Sequence, residues 1–435
     1  MSKENGVEIP TPYSLLPTSC SHHHKQRSDR GTMTSITLRQ LLEHGQSVWY
    51  DNIHRGMLQS GELRRLVDDG VRGVTSNPTI FKNAISQGQE YLADIGAMSR
   101  QGKSPLEIYE ALAIADVTMA ADVLRPIYDE SDGLDGYVSI EVNPLLAYDT
   151  RGTVAEARRL FATLDRPNIM IKAPATAEGI PAVRTLIGDG INVNVTLLFA
   201  VAVYREAAQA YLDGLEIAAA AGRDPGRIAS VASFFVSRVD TLADRLLQAK
   251  SDASQLEAEK SHLRSLMGRL AVANARIAYH NYQEMFGSPR FRRLAAQGAR
   301  PQRLLWASTG AKNPAYRDVV YVEELIGGPT VNTMPPQTIE AFKEHGRLRN
   351  SLEEDVPGAE ALAAQIEAAG LSVDAITDRL LGEGVASFSE SFEELLEAIR
   401  AKIPHQRRQE REERTIPLNA DGGSLTATMQ GVDPS

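Results

Sequence analysis

Between residues 47 and 333 a short apolar or β-branched run gives way to a longer amphipathic stretch eight times, and no other feature restricts the fold as strongly. The short runs cover 47–51, 73–76, 137–142, 168–172, 191–196, 229–235, 303–308 and 330–333. Helical periodicity covers 60–69, 106–128, 154–164, 180–187 and 200–221, and a long charged helical stretch, 239–282, follows the sixth run. Strands joined by helices pair in parallel. Eight such units close a (β/α)₈ barrel, so the expected fold is α/β, a single TIM barrel with additional helices. An open doubly wound sheet is the competitor. The chain has no Gly-rich phosphate loop of standard spacing after a strand, which weakens the nucleotide-binding forms of that competitor.

The expected organisation is a disordered leader over 1–34, the barrel with C-terminal helices over 35–403, and a disordered tail over 404–435. Met33 stands as an alternative start to Met1, and the adjacent His22, His23 and His24 lack the spacing of a metal site and read as part of a flexible leader. A net charge of −10 argues against a nucleic-acid or anionic-membrane partner, which needs a basic surface. It leaves room for a small anionic substrate in a locally basic pocket. Cys20 is the single cysteine, so no intrachain disulfide forms and a reducing, cytoplasmic setting is expected. No apolar run is long enough for a membrane span, and the first thirty residues lack a secretory h-region.

In a barrel, chemistry gathers where the strands end. Lys172 terminates the apolar run Asn168-Ile-Met-Ile-Lys172, where burial disfavours the ammonium and leaves an amine able to attack a carbonyl; its bland alternative is a lysine that snorkels to water. Asp51, Asn77, Glu141, Asn194, Thr196, Ser233 and Ser308 occupy the other strand ends. Together they suit carbon–carbon cleavage through a lysine imine, with the two carboxylates Asp51 and Glu141 moving protons. A turn cap is the plain alternative for Asp51, and an ion pair for Glu141. Asn194 and Thr196 alternate onto one face of a strand, where they can hold hydroxyls and a water; the glycosylation sequon that they also spell is a coincidence there. Arg238 and the loop Ser308-Thr-Gly-Ala-Lys312 supply a guanidinium, an ammonium, hydroxyls and backbone amides suited to a phosphate monoester.

These residues lie in runs that resemble the transaldolase family, in its longer bacterial form: Val48-Trp-Tyr-Asp51, Gly73-Val-Thr-Ser-Asn-Pro-Thr-Ile-Phe81, Val138-Ser-Ile-Glu-Val142, Ile169-Met-Ile-Lys-Ala-Pro-Ala-Thr176, Asn192-Val-Asn-Val-Thr-Leu-Leu-Phe199, Ser230-Val-Ala-Ser-Phe-Phe-Val-Ser-Arg-Val-Asp240, Leu305-Trp-Ala-Ser-Thr-Gly-Ala-Lys-Asn-Pro314 and Thr330-Val-Asn-Thr-Met-Pro335. The resemblance covers about residues 35–400. It implies a barrel without metal or organic cofactor, Lys172 as the Schiff-base residue, Asp51 as acid and base at the C4 hydroxyl, and Glu141 with Thr196 as a relay through water. Asn77, Asn194 and Ser233 are then expected to hold substrate hydroxyls, and Arg238 and Ser308 a phosphate. The implied reaction moves a dihydroxyacetone unit from sedoheptulose 7-phosphate to glyceraldehyde 3-phosphate, in the non-oxidative pentose phosphate pathway.

Two positions qualify that carry-over. Shorter transaldolases have an arginine where Gly310 stands, which makes Lys312 the substitute phosphate ligand. Phe235 replaces a tyrosine of the similar fructose 6-phosphate aldolases and favours transfer over release of dihydroxyacetone. The remaining alternatives are such an aldolase, and a sugar-phosphate-binding barrel without catalysis, which has no need of Lys172, Asp51 and Glu141 together. Phosphorylated sugars are the expected partners, with the chain a monomer or homodimer.

Overall fold

Eight parallel strands close on themselves in chain order: β1 (Gln46–Tyr50), β2 (Val71–Thr75), β3 (Tyr137–Glu141), β4 (Ile169–Pro174), β5 (Val193–Leu198), β6 (Ser230–Phe235), β7 (Arg303–Ala307) and β8 (Thr330–Met334). The closed sheet removes the open doubly wound alternative. This computed structural model describes residues 36–414, with side chains through 403. The expected leader, Cys20, the three adjacent histidines and Met33 lie outside the described residues, as does the tail beyond 414. The last helix, Val373–Arg414, runs past residue 403, where the sequence reading ends the folded part. Its final stretch is rich in Gln, Glu and Arg, all strong helix formers.

The strands are short and almost wholly buried, the pattern of a parallel sheet covered by helices on the outside and filled by side chains within. Lateral register places Glu141 beside Lys172, and Lys172 beside Asn194, across three neighbouring strands. Three polar residues thus share one level of the barrel.

At the other end, the floor is an ionic knot. Arg303 donates to Asp135 at 2.9 Å and to Ser47 at 3.0 Å, Ser47 donates to Asp135 at 2.7 Å, and the Trp49 indole donates to Asp135 at 3.2 Å. Trp49 is fully buried against Gly73, and a Cβ on Gly73 would stand 2.6 Å from the indole ring. Gly73→Ala therefore forces the indole or the strand to move, and the expected cost is about 1–3 kcal/mol. Equilibrium denaturation measures it; a variant as stable as the parent would mean that the indole has slack here.

The charged stretch 239–282, which reads as one long helical stretch in the sequence, is three helices, Ser237–Ala253, Glu257–Leu266 and Leu270–Phe286. The second break has a tertiary cause. Asp240 accepts the Ala271 amide at 2.7 Å and the Tyr321 hydroxyl at 2.9 Å, while Asp244 accepts the Gly268 amide at 2.8 Å and the Tyr316 hydroxyl at 2.6 Å. Gly268 takes a positive φ of 68° and admits the Tyr316 ring where a side chain would clash.

Burial pushes the Asp240 carboxyl up to about 7, against the hydrogen bonds that favour its charge and with the nearby Asp244 charge. The folded chain then holds a proton that the unfolded chain releases near pH 4. Its contribution to stability is full below that pH and is lost as pH rises through about 7. Asp240→Asn should flatten this part of the profile, by up to roughly 4 kcal/mol between pH 4 and 7.5. Thermal melts of both proteins across that window test it, and parallel curves would count against the raised carboxyl.

Candidate active site

The C-terminal ends of the strands and the loops after them enclose a cleft of about 300 Å³. Asp51, Asn77, Lys172, Thr196, Ser233, Phe235, Arg238, Ser308 and Lys312 all line it. Nine sequence-selected residues from six strand ends and their loops therefore meet in one space.

Lys172 projects from β4 and is 5% exposed. Its amine donates to the Ser76 carbonyl at 2.9 Å and lies 3.6 Å from Oε2 of Glu141. Glu141 ends β3, behind the cleft wall, and also borders a narrow cavity of about 20 Å³ with Tyr109, Asn143 and Glu156. Burial pushes its carboxyl up, and the Lys172 charge pulls it back. Oε2 of Glu141 and Oγ1 of Thr196 are buried without a hydrogen-bond partner. Buried polar atoms of this kind are usually met by water or ligand.

Asp51 follows β1 and accepts the Thr75 hydroxyl at 2.7 Å; Thr75 also lies 2.6 Å from the Thr333 hydroxyl. Burial raises the Asp51 carboxyl, opposed by the Thr75 hydrogen bond and by the charges of Lys172 and Lys312. Asn77 caps the helix Pro78–Gln87, its Oδ1 accepting the Ile80 amide at 3.0 Å. That leaves its NH₂ for a ligand. Asn194 is set differently: it donates to Ser139 at 3.1 Å, accepts from Ser233 at 2.6 Å and is not among the cleft walls. It orients Ser233 from behind.

The opposite end of the cleft is cationic. Arg238 stands in the first turn of the helix Ser237–Ala253, over the Phe235 ring at 5.7 Å. Burial pushes its guanidinium down in pKa, and Glu383 pulls it back. Ser308 adopts a positive φ of 56°, a strained conformation for a non-glycine residue, and its hydroxyl lies 3.0 Å from that of Ser237. Neither Arg238 nor Lys312 has a hydrogen bond or ion pair among the described residues, although ion pairs are common elsewhere on the molecule. Two cations without a hydrogen bond or ion pair among the described residues, a hydroxyl and a helix N-terminus form an anion-binding arrangement. Among the described residues no group of three or more His, Cys, Asp or Glu could hold a metal ion, and no helix is long and apolar enough to cross a membrane.

The profile of the family described as Transaldolase/Fructose-6-phosphate aldolase matches residues 48–399. This chain belongs to that family. A transaldolase of Trichodesmium erythraeum is 45% identical over 85% of this chain and 98% of its own length. The transaldolase of Thiobacillus denitrificans is 48% identical over 82% and 97% of the two chains, and Transaldolase 1 of Streptomyces coelicolor 48% over 85% and 95%. The chain is an enzyme of the transaldolase type. Among the further residues lining this transaldolase's cleft, three bear on its chemistry without standing out in the sequence. Thr75 and Thr333 lie inside recognised runs, so their hydroxyls are visible in the sequence, but the link from Thr333 through Thr75 to Asp51 is not. Phe388, on the C-terminal helix, had no signal, since an apolar residue at helical spacing reads as core.

Proposed function

We propose that the chain transfers a dihydroxyacetone unit from sedoheptulose 7-phosphate to glyceraldehyde 3-phosphate through an imine on Lys172. The observation that carries this reading is the buried Lys172 amine, 3.6 Å from Glu141, in one cleft with Asp51 and the unpaired cations Arg238 and Lys312. The amine adds to the C2 carbonyl, and the carbinolamine loses water to give a protonated imine. Glu141 and Thr196 carry protons in these steps through a bridging water, a role supported by their unpartnered oxygens. Asp51 takes the proton of the C4 hydroxyl, the C3–C4 bond breaks, and its electron pair moves toward C3 and the nitrogen. Erythrose 4-phosphate departs. The enamine carbon then attacks the acceptor aldehyde, Asp51 returns its proton, and hydrolysis frees fructose 6-phosphate.

Arg238, Ser308 and Lys312 hold the phosphate, while Asn77 and Ser233 hold hydroxyls. Asn194 acts through Ser233, which revises its expected direct contact with substrate. The imine nitrogen is the electron sink, so the scheme calls for no metal or organic cofactor. The reaction takes its place in the non-oxidative pentose phosphate pathway, and a single cysteine in the chain suits the cytoplasm.

Borohydride treatment in the presence of fructose 6-phosphate, followed by intact mass and peptide mapping, tests the reading. A three-carbon adduct on Lys172 is expected. A folded protein that forms no adduct anywhere would sink the mechanism. The family description includes aldolases as well, so the second assay is acceptor dependence: turnover of fructose 6-phosphate should rise when erythrose 4-phosphate is supplied.

A further inference from the structure

Most of the cleft is polar, but one wall beside the amine is an aromatic ring from the far end of the chain. Phe388 is 5% exposed, lines the cleft, and its ring centroid lies 6.0 Å from Nζ of Lys172. That distance is at the outer limit of a useful cation–π contact, so attraction for the ammonium is not its main effect. What a buried ring next to a reactive nitrogen does is exclude water.

The helix that carries Phe388 is held firmly across the mouth. One turn before the ring, Gly384 allows close approach to the end of β5, where a Cβ would stand 2.9 Å from the Leu197 side chain. Beyond it, Thr79 donates to Ser391 at 2.9 Å, Lys82 pairs with Glu394 at 2.8 Å, and Phe392 meets Tyr109 edge-on at 5.4 Å. Thr79 and Lys82 belong to the helix that Asn77 caps, so the ring is indexed to the substrate-binding loop after β2.

We propose that Phe388 sets the partition of the three-carbon intermediate on Lys172 between transfer to an aldehyde and release to water; this rests on the imine mechanism above. After cleavage the enamine has two fates. Its C3 attacks an aldehyde carbon, which is transfer. Alternatively C3 takes a proton, one water adds at C2, the C2–N bond breaks with its electron pair returning to Lys172, and dihydroxyacetone leaves. Both fates end in hydrolysis at C2, through the water that Glu141 and Thr196 hold; only the second needs other water to bring a proton to C3 before an aldehyde arrives, and the ring keeps such water from the nitrogen and its neighbouring carbons.

The test uses the full chain as Phe388→Ala and as Phe388→Leu, which stays apolar and fills most of the space. With fructose 6-phosphate alone, glyceraldehyde 3-phosphate formation reports release; with erythrose 4-phosphate added, sedoheptulose 7-phosphate formation reports transfer. The ratio of release to transfer should rise about tenfold in the alanine variant and by a smaller factor in the leucine variant, with the three-carbon adduct still trapped on Lys172. Thermal melts track folding, and if the alanine variant is unfolded the leucine variant decides. Release and transfer falling by one common factor in folded protein would overturn the proposal and leave Phe388 a packing residue. Absence of the adduct in the parent enzyme is a different result, which removes the imine mechanism itself.

Discussion

Lys172→Ala should lose transfer by roughly 10⁴-fold or more and form no borohydride adduct, because the other amine of the cleft, Lys312, belongs to its phosphate-binding end and does not take over as electron sink. The substitution is well placed for a clean reading. Lys172 is the one polar residue of an otherwise apolar strand, which continues to Pro174, and its removal costs one hydrogen bond to the Ser76 carbonyl. It also removes the charge that pulls the Glu141 carboxyl down, so burial acts on that group with less opposition and shifts it further toward its neutral form. Lys172→Arg serves as the control for electrostatics, since it keeps a cation but cannot form an imine. Near-normal turnover in the alanine variant would refute the mechanism, and recovery of activity in the arginine variant would reduce Lys172 to a fixed charge.

The second large effect is expected at Asp51. Asp51→Asn keeps an oxygen to accept the Thr75 hydroxyl but cannot take a proton, and turnover should fall about 10²–10⁴-fold. Imine formation does not require this group. The adduct trapped from fructose 6-phosphate should therefore change from three carbons to the intact six-carbon phosphate, because cleavage of the C3–C4 bond is the step that stops. The parent's pH profile gives a further check. Burial raises the Asp51 carboxyl, so activity should fail on the acid side at a pH above the ordinary aspartate range. A three-carbon adduct at the parent's rate in Asp51→Asn would assign the base role elsewhere.

Much of this site is readable in the sequence because a buried parallel strand is a nearly unbroken apolar run, and a polar residue that ends one is conspicuous. Lys172, Glu141 and Asp51 all announce themselves in that way, and closing eight such runs into a barrel brings their ends together. Asn194 shows the weakness of the same logic. On the strand it has the look of a ligand for substrate, but Ser139, across the barrel interior on β3, and Ser233, on the adjacent β6, engage both ends of its amide. The break at Gly268 was hidden for a related reason, since the helices on both sides are amphipathic and the turn is held by Asp240 and Asp244, more than twenty residues earlier. Phe388 is the extreme case. Its role depends on where the last helix lies, and helical periodicity carries no information about that.

The side chain of Gln46 on the first strand donates to the hydroxyl of Thr330 on the last, across a separation of 284 residues, in the same strand pair whose ladder closes the barrel. Until β8 is available, β1 has an open edge. Bringing such distant segments together is entropically slow, although the added cost grows only logarithmically with the length of the loop. A chain emerging from the ribosome therefore displays unpaired strand edges for most of its synthesis, and every residue of the catalytic cleft waits on the final quarter of the polypeptide. Refolding from denaturant should accordingly be slower and more prone to association than its final stability implies, with activity returning only after the two ends of the sheet have met.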